Sequence, residues 1–431
     1  MFWFSLEIKP SMRILRIMKG SLEVLALLII LSGCGLEEIG RRPEGSRNDI
    51  WTGPGMNVGK EDVEKTITYV TAVDYPDGYD WRSDCEKGSV KCSLVVYADG
   101  LPMMKIPVGD TYEISSDPDM HRVADGHLYT DYCTDTETVI KKDGRLLFRY
   151  QGREMIIGML VRDGDVYTLG QSRDGEGFSY RKNGEILLQR LNGYAFDRLY
   201  HDRDSICFSF CEPIHSNDKI IERYYHVVNG KASQTAVRED VRKVWDILSV
   251  GGKVCYVASV VGVDSPVLFS DDSMLALDMH SPVEMLTCRI FCVGEDLWVE
   301  GLFAGVGLPM TGGVWHGSEI HHIFNPGNTI SSICEADGDI CCVFNSIMST
   351  GRGKIYRCGE IFEIPEPYFS IGNGTVKMVD GILNVGLSSS TGGKPVIWKD
   401  AVLDTLDVHG FIATVSSGRK KDYTSQERVL D

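Results

Sequence analysis

The densest group of chemically capable side chains is the stretch at residues 74–89, DYPDGYDWRSDCEKGS. Tyr75, Tyr79 and Trp81 offer aromatic faces, and Arg82 and Asp84 place charge beside them, with further carboxylates at Asp74, Asp77 and Asp80. Aromatic faces next to carboxylates suit the CH faces and hydroxyls of a carbohydrate, or a hot spot for a protein partner. Tyr75, Tyr79, Trp81, Arg82 and Asp84 are therefore the expected ligand-binding set. The structural alternative is a loop that folds its aromatics onto the sheet it leaves. Cys85 and Cys92 flank the short polar run CEKGSVKC and form the disulfide candidate.

Other chemistry is sparse. His316, His321 and His322 cluster, but neighbours in a regular strand point to opposite faces. His321 and His322 are thus expected at a surface or in a core, not around one metal. The many Asp-Gly pairs are explained by turns without calcium, and no GxSxG, HExxH or Walker sequence occurs. No catalytic residue, metal or cofactor is expected. A hydrolase built on paired carboxylates leaves no local motif, because such pairs assemble across the fold. Cys207, Cys255, Cys288, Cys334 and Cys341 lie in apolar strand-like runs and read as small buried hydrophobes. Cys341 and Cys342 should face opposite ways.

The elements that must position these residues recur. MLVRDGDVYTLG (159–170), LSVGGKVCYVAS (248–259), FCVGEDLWVEG (291–301), ICEADGDICCVF (333–344) and KMVDGILNVG (377–386) each join two β-rich runs by a glycine turn. That is a hairpin signal. A second hairpin follows in FSYRKNGEILLQRL (178–191), GVWHGSEIHHIF (313–324), KIYRCGEIFEI (354–364) and PVIWKDAVLDTL (395–406). Tyr129, Tyr167, Cys207, Cys255, Trp298, Cys341 and Asn384 occupy the second strand of successive units, at intervals of 38, 40, 48, 43, 43 and 43. The long interval coincides with residues 237–248. Their apolar positions 237, 241, 244, 245 and 248 are spaced for an inserted turn of helix.

A four-stranded unit repeating every 40–45 residues is the mark of a β-propeller blade. The expected fold is all-β, with eight four-stranded blades over residues 66–417. Seven is the runner-up if 114–150 or 202–236 fails to form a separate blade. The first unit, from residue 67, lacks its first strand, and the chain ends with an orphan β-run at 410–417. That run is expected to complete the first blade and close the ring. Trp315, Tyr356 and Trp398 fall in third strands and should pack between blades.

The first residues carry an address. Arg13, Arg16 and Lys19 precede an apolar run, 24–31, that is too short to span a bilayer. Met12 is the more natural start of such a leader. Leu31-Ser32-Gly33-Cys34 resembles the lipobox of bacterial lipoproteins. That resemblance covers residues 1–34 and implies removal of a signal peptide at 1–33 and lipidation of Cys34. Residues 34–65 read as a tether and 418–431 as a disordered tail. The repeats resemble those of uncharacterised bacterial propeller lipoproteins, over roughly 66–417. The Gly-Gly pairs before Trp315 and Trp398 look kelch-like without repeating the full kelch pattern. SRDGEGFSY (172–180) misses the sialidase Asp-box spacing, and TGGVW and TGGKPVIW miss the quinoprotein docking motif.

The chain holds 44 Lys+Arg against 61 Asp+Glu, a net charge of −17. Without residues 1–33 the balance is 40 against 59, or −19. So acidic a protein repels phosphate backbones, and no nucleic-acid partner is expected. In propeller geometry the long loops between second and third strands share one face, and long loops on a rigid frame tend to carry recognition. The sequence thus reads as a lipid-anchored, non-catalytic binder of a glycan or protein. Its membrane contact would be the lipid anchor, on the outer membrane of a Gram-negative bacterium, at the surface or the periplasmic side. A polysaccharide hydrolase or lyase, or a scaffold subunit of an envelope complex, are the alternatives.

Overall fold

A computed structural model describes residues 66–79, 92–108 and 121–419. Within the last span, 125, 134–135, 153, 173–176, 197, 217–218, 271–272, 280–283, 305–309, 324–326, 337, 347–352 and 371–373 are not described. The chain divides into two compact units, 1–61 and 62–431, and every described residue belongs to the second. Cys34, Trp81, Arg82, Asp84 and Cys85 lie outside the described residues, as do the leader and tether.

The described residues are all-β and form eight sheets, each with a run of four antiparallel strands. Lettered A to D from the first strand of each blade, blade 1 holds Gly410–Arg419, Thr66–Asp74, Cys92–Ala98 and Leu101–Val108. Blade 2 holds His121–Ala124, His127–Cys133, Glu137–Lys142 and Arg145–Gln151. Glu154–Arg162, Asp165–Ser172, Phe178–Lys182 and Glu185–Arg190 make blade 3. In blade 4, strand A is split into Tyr194–Ala195 and Tyr200–Asp202, followed by Ser205–Ser216, Lys219–Val228 and Lys231–Gln234. Val241–Val250, Lys253–Val260, Val267–Ser270 and Ser273–Ala276 make blade 5. Blade 6 is Glu284–Val293, Asp296–Ala304, Thr311–His316 and Glu319–Ile323; blade 7 is Asn328–Ala336, Asp339–Ser346, Lys354–Arg357 and Glu360–Glu363. Blade 8 splits strand A into Tyr368–Phe369 and Val376–Val379, then runs through Ile382–Ser389, Val396–Lys399 and Val402–Thr405.

Strand D is the outer rim: in blades 4, 5 and 8 all four of its residues are exposed. Strand A is innermost. Successive blades touch in order round the ring, and strand A of blade 1 contacts strand B of blade 8. That strand A is the C-terminal one, paired antiparallel with Thr66–Asp74 from the start of the domain. The ring is therefore an eight-bladed propeller closed by the last strand, as the orphan run implied. All seven marker positions, from Tyr129 to Asn384, fall on strands B.

The core is distributed, one apolar cluster to each interface between blades. Trp315 is buried between blades 5 and 6, Tyr356 between 6 and 7, and Trp398 between 7 and 8. Each fully buried large side chain contributes about 1.5–3 kcal/mol. The cysteines behave as expected: Cys207, Cys255, Cys288 and Cys341 are buried and Cys334 is half-buried. Cys341 faces blade 8 while Cys342 faces blade 6.

The turns between strands C and D show why Asp or Asn precedes glycine. In blade 4, Asn229 and Gly230 both adopt left-handed φ, 47° and 81°, which matches the twist of the flanking strands. The Asn229 N–H donates to Ile206 O, and its Oδ1 accepts from Ile206 N, both at 2.9 Å. Asp99, Asp143 and Asn183 make the same reciprocal pair with Thr68, Leu128 and Val166. The turn residue thus ties the C–D hairpin to strand B of its own blade.

Two local readings change. Residues 237–248 contain no helical turn; Val241–Val250 is strand A of blade 5. Register shifts between Val241 and Lys243 and between Val244 and Asp246 break its alternation, and two bulges in ten residues imitate helical spacing. Residues 211–223, one of the long loops expected between second and third strands, are largely ribbon: Ser205–Ser216 pairs with Lys219–Val228, and 217–218 are not described.

Candidate functional site

The described members of the expected ligand set turn inward. The Tyr75 ring meets those of Tyr79 and of Phe411 in the closing strand at tilted angles, with centroids 5.0 and 6.4 Å away. Its N–H donates to His409 O at 2.8 Å, and His409 Nε2 lies 2.8 Å from Tyr79 O. Burial pushes the Tyr75 phenol well above its usual range, with smaller contributions from Cys92 and Tyr79. These tyrosines seal the junction of strands A and B in blade 1. Cys92 is buried in the core between blades 1 and 2.

The three histidines do assemble, though not around a metal. Strand D of blade 6 bulges at His321, where the register shifts between Val314 and Trp315. Both His321 and His322 consequently reach Tyr356, with ring centroids at 5.7 and 4.9 Å. The expectation of opposite faces held only for regular backbone. His316 stacks on Trp298 at 4.6 Å, and His321 Nε2 lies 2.8 Å from Tyr356 Oη. Burial lowers the His321 pKa, countered by Asp339 and reinforced by His316; burial and then His321 lower that of His322. Among the described residues no group of three or more His, Cys, Asp or Glu is placed to hold a metal.

A second constellation, which sequence reading missed, surrounds the axis. Arg198 lies between the two pieces of strand A in blade 4. Its Nη2 donates to Asp246 Oδ2 in strand A of blade 5 at 2.5 Å, and its Nη1 to Ile290 O in strand A of blade 6 at 2.5 Å. Asp246 also accepts from Ile290 N and Ile247 N, both at 2.8 Å. One carboxylate and one guanidinium therefore tie three blades together. Arg198 Nε is buried without a hydrogen-bond partner among the described residues.

Beside this clamp, Arg289 and Glu300 face each other across strands A and B of blade 6, 3.6 Å apart. The Glu300 side chain is only 17% exposed. Burial raises its pKa, opposed by Arg289 and then Arg198. Across the ring, Arg122 of blade 2 donates to Met159 O of blade 3, and Arg162 donates to Asp204 O of blade 4 at 2.5 Å. The His201 pKa is lowered by burial first and then by Arg162 and Arg122. The innermost strands of blades 2 and 3 thus bring two arginines within electrostatic reach of His201 on that of blade 4.

Among residues whose side chains are described, the innermost strands carry Arg122, Arg162, Arg242, Lys243, Arg289 and Lys377 against Glu154, Asp202, Asp246 and Glu335, six bases to four acids. Glu154 is neutralised in place: Arg181 grips it with both Nη atoms, Ser179 Oγ donates to it at 3.0 Å, and the Arg181 guanidinium lies 4.0 Å over the Tyr150 ring. The only sequence signal for the axial set is a charge inside an otherwise apolar run, as at Arg289 in MLTCRIFCV.

No protein-family model matches the chain, and no curated protein matches it. Among solved structures it is similar to the β-propeller domain of the Trilobed protease from Pyrococcus furiosus, at 11% identity and TM-score 0.43, over 69% of this chain and 94% of that one. It is similar to the acylaminoacyl peptidase of Pyrococcus horikoshii, at 10% identity and TM-score 0.43, over 74% of this chain and 56% of that one. It is also similar to the dihydro-heme d1 dehydrogenase NirN, at 9% identity and TM-score 0.47, over 84% and 77%. The chain spans little more than half the length of the peptidases it matches. At such identity these likenesses concern the fold alone.

The functional expectation is corrected at its own site residues, and likenesses at this identity lend it no support. In the described part of the supposed recognition loop, Tyr75 packs on Phe411 of the closing strand and Tyr79 packs on Tyr75. The reading as a glycan or protein binder, with its two alternatives, does not stand.

Proposed function

We propose that this propeller binds a small anion, a carboxylate- or phosphate-bearing solute, at the axial arginines. The observation that carries the reading is a reversal of charge. The chain as a whole is −17, yet its innermost strands hold more bases than acids. A minority of cations gathered at one place in an acidic protein focuses an attractive field there and repels anions elsewhere. Arg289 is the residue best placed to meet a solute, since 41% of its side chain is exposed and its planar fork suits carboxylate or phosphate.

The test is thermal shift of the whole chain against phosphate, sulfate, and mono-, di- and tricarboxylates at fixed ionic strength. A ligand at 100 times its Kd adds about 2.7 kcal/mol of stability. A shift selective for one anion class, lost in Arg289→Ala, supports the reading. Equal shifts by all salts, unchanged in that variant, refute it.

The leader supports a separate proposal. The resemblance of Leu31-Ser32-Gly33-Cys34 to a lipobox favours lipidation of Cys34 and attachment to the outer membrane of a Gram-negative bacterium. Cells fed labelled palmitate should label the wild-type chain and not Cys34→Ala; equal labelling removes the proposal.

A further inference from the structure

Blade 7 departs from its siblings at one position. Where blades 1, 2, 3, 4 and 8 place Asp or Asn at the start of the C–D turn, blade 7 has Cys358, with φ 46°. A thiol cannot supply the carboxylate or amide oxygen that caps strand B elsewhere, and that duty passes to Asp339, whose Oδ1 accepts from Ile340 N at 2.7 Å. Cys358 is exposed, and its Sγ lies 3.8 Å from Ala336 O at the end of strand A. Two residues before Ala336, on the same face of that strand, is Cys334, directly opposite Cys341 of strand B. Cys334 and Cys341 both pack against the cluster between blades 7 and 8. Opposed residues on antiparallel strands have Cα atoms about 4.5–5.5 Å apart, so Cys334 and Cys341 are within disulfide range, and Cys358 is close enough to bear electrostatically on both. Charges of both signs border the group: Arg357, paired with Asp400, and Asp339 act on Cys341, and Lys377 and Glu335 on Cys334.

We propose that Cys358, Cys334 and Cys341 form a thiol–disulfide site that reacts with a small-molecule disulfide. Cys358 is the attacking group and Cys334 the resolving one. The Cys358 thiolate attacks one sulfur of glutathione disulfide, breaking its S–S bond and releasing one glutathione thiolate. Cys334 then loses its proton to solvent and attacks the Cys358 sulfur, expelling the second glutathione. Two protein thiols are oxidised and one glutathione disulfide is reduced to two glutathione thiols. Burial raises the thiol pKa of Cys334 to about 11 and that of Cys341 higher, which leaves the exposed Cys358 to begin the exchange. The half-buried Cys334 is more accessible than the fully buried Cys341.

The reduced full chain is incubated with glutathione disulfide, blocked, and mapped by mass spectrometry. Trypsin leaves Cys334 and Cys341 on one peptide, so cleavage before Asp337 and Asp339 is used to separate them. The expected product is a Cys334–Cys358 link with no retained glutathione. Cys334→Ser should trap the mixed disulfide on Cys358. Cys358→Asp, which restores the turn residue of the other blades and should fold, should leave Cys334 and Cys341 reduced. A stable glutathione adduct on the wild type, oxidation of Cys334 at an unchanged rate in Cys358→Asp, or no reaction under native conditions each overturns the proposal.

Discussion

Asn229 allows the turn rule to be tested quantitatively. Replacing it removes two separable contributions. Its Oδ1 is the acceptor for Ile206 N, in a residue only 3% exposed, and a buried donor left unpaired costs about 1–3 kcal/mol. Its φ of 47° is left-handed, a conformation that costs a residue with a Cβ about 1–2 kcal/mol and asparagine less. Asn229→Gly removes the acceptor but relieves the backbone, so a loss of about 1–2 kcal/mol is expected. Asn229→Ala adds the conformational cost and should lose about 2–4 kcal/mol. Asn229→Asp keeps the acceptor and should lie within about 0.5 kcal/mol of wild type. Urea unfolding of the three variants, compared at constant m, gives the order. If the Gly variant is as stable as wild type, the side-chain bond contributes nothing and the reasoning is wrong; if Ala and Gly coincide, the backbone argument fails.

Three further outcomes are expected. Arg181→Met leaves the Glu154 carboxylate buried without its partner and should destabilise by about 3–5 kcal/mol, whereas Arg181→Met with Glu154→Leu should recover most of that in urea titrations. The pKa values of His201, His226, His321 and His322 are all lowered, chiefly by burial, so the unfolded chain binds protons that the folded one refuses. Stability should be full above the unfolded histidine pKa of about 6.5 and fall as the pH drops through it; a flat urea midpoint from pH 7.5 to 5.5 would contradict this. Gly410→Ala would set a Cβ 2.2 Å from Val73 O where the closing strand begins, and removal of residues 410–431 deletes strand A of blade 1. Both should lower the melting temperature, the truncation far more; an unchanged melt for the truncated chain would mean that the ring does not depend on this closure.

The architecture was largely legible because a propeller repeats its local rules. The Asp-Gly and Asn-Gly turns, the glycine-centred hairpins and the orphan strand at 410–417 are short-range signals, and they placed Tyr129, Trp298 and Asn384 on strands B. Residues 237–248 misled because bulges in Val241–Val250 replaced alternation with a near-helical spacing. The bulge at His321 did the same to the histidine pair. The axial cluster was not legible. Arg198 meets Ile290 across 92 positions of sequence, and only the closure of the ring brings blades 4, 5 and 6 to one point. Tyr75 looked like a binding residue because its partner, Phe411, lies at the other end of the chain.

The most direct test of the axial reading is calorimetric titration of the anion selected by thermal shift into wild type, Arg289→Ala and Lys105→Ala. Lys105 lies in strand D of blade 1, on the outer rim, paired with Asp74 at 2.8 Å. The account expects Arg289→Ala to weaken binding at least tenfold, equivalent to about 1.4 kcal/mol, and Lys105→Ala to leave it unchanged. Equal affinity in all three proteins would contradict a site at the axis.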